Sequence, residues 1–178
     1  MSYTLGSCDV QGRYRYSLQV ISAERSPRRL IVIQCNPSVA TSQRADPTVG
    51  KVARWAVEHG FGETVFLNLF ARISPYPDEL LGLRYAQLVG PRNDATIAAQ
   101  LGRPGSTLVL AWGGRLPVDS RRYARRVAEV RGLVTAAGVE AFHVGALTAN
   151  RYPRHGRMWN RGNRDLRRLA WSSLELLG

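Results

Sequence analysis

Four apolar runs in this chain each end in residues suited to chemistry. "RLIVIQC" ends in Asn36-Pro37-Ser38, and a single acid, Asp46, follows eight residues later. "TVFLNLF" carries Asn68 and ends in Phe70, followed by "ARISPYP" with Arg72. "STLVLAWGG" ends in Trp112, Gly113 and Gly114, followed by Arg115. "VEAFHVGAL" runs into "TANRYPRHGRMWN", which holds Arg151, Arg154, His155 and Arg157. Amides, a hydroxyl, one imidazole and several guanidiniums suit a site that positions water, reads hydrogen-bonding edges and grips anions.

The elements that must position these residues are strands and helices in alternation. "YRYSLQVIS", Tyr14 to Ser22, alternates polar and apolar residues and reads as an antiparallel or edge strand. The continuous apolar runs read as strands buried on both faces. "DPTVGKVARWAVEHGFG" reads as a helix, with Asp46 as N-cap, Pro47 in the first turn and Gly60 and Gly62 beyond its end. Helices are also expected over Gly90 to Gly102, over Ser120 to Gly138, and over "NRDLRRLAWSSLELL" at the end of the chain. Alternation of this kind predicts a single α/β domain over residues 1–178. The expected architecture is a three-layer sandwich around a mostly parallel four-stranded sheet, with an N-terminal edge strand or hairpin. In open α/β sheets ligands bind beyond the carboxyl ends of the strands, which is where the polar turns fall.

Composition narrows the partners. The 178 residues carry a formal net charge of +12, and Lys51 is the only lysine among 25 basic residues. So arginine-rich a chain attracts polyanions and makes bidentate phosphate contacts, which points to nucleic acid first, with an acidic small molecule or an acidic protein as the alternatives. No apolar run is long enough to span a bilayer, and "MSYTLGSCDVQG" lacks the pattern of a signal peptide, so a cytoplasmic location is expected. Cys8 and Cys35 form no CxxC, and His59, His143 and His155 are scattered, so neither a metal nor another cofactor is expected. No GxGxxG, P-loop or GxSxG motif is present. The acids near the functional edge are Asp46, Asp78, Glu79 and Asp94.

Several of these residues have plainer roles. Asn36-Pro37-Ser38 also suits an ordinary turn, Asp46 a cap, and Asn68 a strand end. Trp112 suits core packing, His143 a structural position in a strand, and His59 a helix-dipole partner. The stretch "RRYARRVAEVR" also suits a solvated helix face.

The ordered set "NPS", "DPT", "NLFA", "VGPRND", "AWG" and "PRH" resembles the bacterial family catalogued as domain of unknown function 1643, over roughly Tyr14 to Asn160. More distantly, the order resembles the uracil-DNA glycosylase superfamily. The matching pieces are Asn36-Pro37, "VFLN" ending at Asn68, "LAWG" ending at Gly113, and "YPRH" ending at His155. That resemblance implies a uracil-DNA-glycosylase-like fold and a cofactor-independent DNA glycosylase that extrudes a base and hydrolyses its N-glycosidic bond. It implies that Asn36 holds water, Asn68 reads the pyrimidine O4 and N3–H edge, and His155 donates to O2 of the departing base. Backbone after Pro37 would bind a carbonyl oxygen, and Phe70, Trp112 and Gly113 would line the base site. Arg72, Arg115, Arg151, Arg154 and Arg157 would contact DNA phosphates.

Three departures from the superfamily pattern bear on substrate. Efficient members have aspartate where Asn36 stands, which leaves Asp46 as the candidate base. His155 is followed by Gly156-Arg157 rather than Pro-Ser. Uracil-specific members place a tyrosine where Ser38 stands, so a 5-substituted uracil such as 5-hydroxymethyluracil is the expected substrate, with uracil next. The alternatives are a non-catalytic module that binds a nucleotide or modified base, and a nucleoside or nucleotide hydrolase or transferase.

Overall fold

A computed structural model describes residues 2–24, 26–38, 46–74, 78–114, 118–159 and 164–174. Its centre is β3 (Arg29–Gln34), in which all six residues are buried. Side chains alternate across a strand. Leu30 and Val32 therefore pack to one side, while Ile31 and Ile33 pack to the other. On the first side lies α1 (Pro47–Glu58), which presents Val49, Val52, Ala53, Trp55 and Ala56. On the second lie α4 (Asn93–Leu101) and α5 (Ser120–Ala136), which present Ile97, Leu101, Tyr123, Val127, Val130 and Val134. The short helices α2 (Asp78–Leu81) and α3 (Tyr85–Val89) connect the strand after α1 to α4.

The sheet is mixed and wider than the expected four strands. Its seven strands run β1 (Tyr3–Gln11), β2 (Tyr14–Ser22), β4 (Glu63–Asn68), β3, β5 (Ser106–Leu110), β6 (Ala141–Val144) and β7 (Leu166–Arg168), in that spatial order. The pairs β4–β3, β3–β5 and β5–β6 are parallel, whereas β1–β2, β2–β4 and β6–β7 are antiparallel. The extra width comes from the two ends of the chain. At the N-terminus β1 and β2 form a hairpin around Gly12, whose φ of +57° suits a residue without a side chain. At the C-terminus the expected helix is absent among the described residues. Leu166–Arg168 pairs with β6, and Trp171–Ser173 forms one 3-10 turn. The edge of β6 needs backbone partners, and Leu169 and Leu174 are drawn into the core, so tertiary demands override local helix preference.

Asp46 does cap α1: its backbone is extended and its carboxylate accepts the N–H of Val49 at 2.8 Å. His59 closes the same helix, its Nδ1 lying 2.7 Å from the carbonyl of Trp55. His143 is buried on β6, and its Nδ1 has no hydrogen-bond partner among the described residues. Burial, followed by the nearby Arg167 charge, lowers its pKa. No helix among the described residues is long and apolar enough to cross a membrane.

Trp55 ties α1 to the C-terminal part of the chain. It is 1% exposed, meets Trp159 edge-on at 5.0 Å and donates its indole N–H to the carbonyl of Arg164 at 3.0 Å. Trp55→Ala is expected to cost about 3–5 kcal/mol by opening a cavity under that contact. Urea denaturation monitored by circular dichroism measures it.

Candidate functional site

The site is built from the carboxyl ends of β3, β4 and β5 and two loops that fold back over them. After β3, Asn36 donates its amide N–H to the carbonyls of Pro37 at 3.3 Å and Ser74 at 3.2 Å. Ser74 returns a backbone N–H to Pro37 at 3.1 Å, so the turn is clamped to the segment after β4. Ser38 donates its hydroxyl to Asp46, whose other carboxylate oxygen caps α1. The start of α1 is thereby pinned beside the Asn-Pro-Ser turn. Each carboxylate oxygen of Asp46 keeps a second lone pair, so capping leaves it able to accept a proton or a water.

Asn68 ends β4 and is fully buried. Neither its amide nitrogen nor its amide oxygen has a hydrogen-bond partner among the described residues. An unmatched buried polar atom costs about 1–3 kcal/mol, so this amide is set up for a partner that the polypeptide does not supply. Its backbone, by contrast, is held firmly. Asn93 donates to the carbonyls of Asn68 at 3.1 Å and Leu69 at 3.0 Å, and Arg126 donates to Leu69 at 2.5 Å. Phe70 lies in the core against Tyr85, edge-on at 6.5 Å. Trp112 is 1% exposed, tilted against Trp171 at 6.5 Å, and its indole N–H lacks a partner among the described residues.

The histidine loop docks on Gly113 and on α1. Gly113 has φ +74° and donates to the carbonyl of Pro153 at 2.9 Å. A Cβ there would stand 3.1 Å from the Cβ of His155, so glycine permits both the backbone angle and the close approach. The Tyr123 hydroxyl bonds the Gly113 carbonyl from beneath. On the α1 side a Cβ on Gly156 would meet Val52 at 2.5 Å, and Lys51 donates to the carbonyl of Arg157 at 2.7 Å.

His155 is thus held in a defined protonation state. Its Nδ1 accepts the backbone N–H of Arg157 at 3.2 Å, which puts the proton of the neutral ring on Nε2. Burial and then the Arg157 charge push its pKa down from 6.5 to about 4, against an opposing pull from Asp46. At neutral pH the ring is an uncharged donor.

The sequence-predicted arginines lie around this edge with different anchoring. Arg72 pairs with Tyr14 through an isolated bridge and stacks 5.9 Å from its ring. Arg151, at φ 56°, donates to the carbonyl of Ser173 at 2.7 Å. Arg154 accepts the Trp159 indole N–H at its carbonyl, and Arg157 is exposed. Arg115 and the side chain of Asp78 fall outside the described residues. Of the remaining acids, Glu79 accepts from Ser74 at 2.8 Å and Asp94 pairs with Arg126 at 2.6 Å.

Two residues of the site escaped the sequence reading. Gln34 is 4% exposed, and its amide nitrogen lies 3.3 Å from where a Cβ of Gly156 would stand. The available signal was a lone amide closing an otherwise apolar strand. Arg15 is 1% exposed on β2, and its pKa is lowered by burial against the opposing charges of Cys8 and Asp46. It was hidden inside an alternating strand, where register irregularities along β1–β2 break the simple period.

His155 predicts a pH effect. Its folded pKa lies below the unfolded value, so the unfolded chain binds more protons between roughly pH 6.5 and 4, and stability falls as pH falls through that window. Urea titrations across this range are expected to give a steeper loss for the wild type than for His155→Gln. The imidazole resonance of His155 is expected to titrate near pH 4.

Comparison with curated proteins and with solved structures returned no match. The model of one family, described as "Protein of unknown function (DUF1643)", matches residues 15–156, which span every strand end and loop of this site except the last residues of the histidine loop. The chain belongs to the DUF1643 family.

Proposed function

We propose that the protein is a monofunctional DNA glycosylase that flips out a modified pyrimidine and hydrolyses its N-glycosidic bond. The favoured base is a 5-substituted uracil such as 5-hydroxymethyluracil, with uracil itself next. This reading keeps the distant likeness to the uracil-DNA glycosylase superfamily as part of the proposal. The observation that carries it is the buried, partnerless amide of Asn68 at the same sheet edge as a neutral, Nε2-protonated His155. An amide with both donor and acceptor free complements O4 and N3–H of a uracil-type base.

The chemistry distributes over the named groups. Water attacks C1′ of the nucleotide as the C1′–N1 bond breaks, and the bonding pair leaves with the base as an N1 anion. His155 Nε2–H stabilises that anion at O2 without giving up its proton. Asn36 has committed its N–H donors to two carbonyls, so its amide oxygen is the part suited to hold the water. Asp46 supplies the negative charge that favours an oxocarbenium-like sugar and takes the proton of the water. Ser38 donates to Asp46, so its own lone pairs face a 5-substituent as acceptors. Pro37 and Gly113 shape the walls, whereas Phe70 and Trp112, expected there from the sequence, are buried in the core on the α4 and α5 side.

The distribution of charge supports DNA as the partner. Arg29 and Arg103 at the amino edge pair with Glu63, and Arg168 with Glu140. Arg13, Arg72, Arg151, Arg154 and Arg157, at the opposite edge, have no carboxylate ion pair among the described residues. An unneutralised rim around a site is the arrangement that attracts a phosphate backbone. A second reading, a non-catalytic modified-base binding module, is favoured by one feature: the first polar side chain of the turn after β3 is the amide of Asn36, which cannot act as a base.

Oligonucleotide duplexes carrying single modified bases, scored for abasic sites after alkali, separate the two. The wild type is expected to release 5-hydroxymethyluracil. Asp46→Asn keeps a competent helix cap and is expected to lower excision at least about hundredfold with DNA retention intact. Retention of every duplex with no abasic product establishes the binding module instead. Retention is also expected to weaken with salt, and Arg154→Ala and Arg157→Ala are each expected to reduce the slope of log affinity against log salt by about one.

A further inference from the structure

Gln34 and Asn68 occupy one place on two strands. They are register partners in the parallel pair β3–β4, two residues beyond the partners Val32 and Phe66. Val32 and Phe66 both pack in the cluster on the α1 side of the sheet. Side chains two residues on return to the same face, so Gln34 and Asn68 lie side by side on that face. The position of Gly156 beside the Gln34 amide agrees, because the histidine loop covers the α1 side.

The two side chains are 4% and 0% exposed, and three of their polar atoms are buried without a hydrogen-bond partner among the described residues. These are Nε2 of Gln34 and Nδ2 and Oδ1 of Asn68. Neighbouring carboxamides usually bond to each other, yet these do not. Together they offer a donor from Gln34 beside a donor and an acceptor from Asn68.

We infer that Gln34 and Asn68 act as a pair that reads the acceptor–donor–acceptor imide edge of a uracil-type base. Asn68 takes O4 and N3–H, and Gln34 donates to O2. The inference rests on the glycosylase reading for its ligand and adds a specificity residue, Gln34, on a strand rather than a loop. Gln34 stands beside Gly156, the residue after His155, so the histidine loop lies against the Gln34 member of the pair. A base methylated at N3 loses the central donor and collides with the Asn68 amide oxygen. Asn93 holds the Asn68 carbonyl and Arg126 the next one, of Leu69, from the opposite face, so the reading amide need not be ordered when the base arrives.

Two measurements test the pair. In the native protein the side-chain amide resonances of Gln34 and Asn68 are followed during titration with free 5-hydroxymethyluracil and with its 3-methyl derivative. Both amides are expected to shift with the first and neither with the second. In parallel, Gln34→Met keeps the length and apolar contacts of the side chain and removes the donor. Its kcat/KM for excision of 5-hydroxymethyluracil from a duplex is expected to fall about tenfold, and Gln34→Glu, which sets an acceptor against O2, about hundredfold. A protein that excises the base while Gln34→Met matches the wild type and the Gln34 amide stays still overturns the pair and leaves the glycosylase standing. Amide shifts in a protein that excises nothing support the pair and remove the glycosylase. No shift and no excision overturns both. Should Gln34→Met not fold, the resonances of the native protein decide.

Discussion

The end of β4 is held by two buried side chains on the far side of the sheet, and the site depends on that hold. Beyond its last ladder bond a parallel strand leaves carbonyls that need donors. Asn93 supplies them to Asn68 and Leu69, and Arg126 to Leu69. A buried guanidinium is costly unless matched, and here Asp94 and Glu129 match it. Burial pushes the Glu129 carboxyl up, but hydrogen bonds from Tyr85, Arg125 and Arg126 more than reverse this and leave it below its ordinary value. The anion stays charged, Arg126 stays paired, and the backbone of β4 stays fixed. The turn after β3 then takes its place from β4, through Leu69 to Gln34 at 2.8 Å and Phe70 to Cys35 at 2.9 Å.

With the backbone fixed from one face, the other face can carry polar groups that the fold leaves unmatched. Gln34 and Asn68 each end a strand on that face with a buried donor that lacks a partner among the described residues. Around them the charges are sorted. Asp46 is anchored by a helix N-terminus and a hydroxyl, Arg15 is buried within reach of its field, and His155 is kept neutral by burial and a neighbouring arginine. Arg72, Arg154 and Arg157, which have no carboxylate ion pair among the described residues, lie outside this centre in the segments that frame it. On the proposed reading, such an arrangement would separate attraction of DNA, which acts over roughly a Debye length, from recognition of the base, which needs contact distances and an environment poor in water.

Legibility in the sequence follows the range of the interactions involved. Asp46-Pro47 reads as a helix start because a cap and its helix are neighbours in the chain, and the structure has that cap. The apolar runs were readable as strands, since burial on both faces leaves a local mark. The width of the sheet was not, because β1 and β7 have little pattern of their own and exist to pair the edges of β2 and β6. Arg126 reads locally as one more charge on a basic helix. Only the packing of α5 against the end of β4 makes it buried and structural. Gln34 looks like a polar residue that ends a strand, and its register with Asn68 is a relation across 34 residues that no local motif encodes.

The same contrast explains why familiar ligand motifs are missing from a chain with a well-defined site edge. Gly-rich phosphate loops announce themselves because they need special backbone angles at fixed spacing. A site that reads neutral hydrogen-bonding edges needs amides on rigid strands, and these are placed by sheet register rather than by sequence spacing. Strands give up less conformational freedom on binding than loops do, so neutral amides placed there discriminate with few bonds. Loops suit the arginines, whose task is tolerant of position. On the proposed reading the strand ends hold the groups that would recognise the base, and the arginines of the turns between them would help to gather the DNA that carries it.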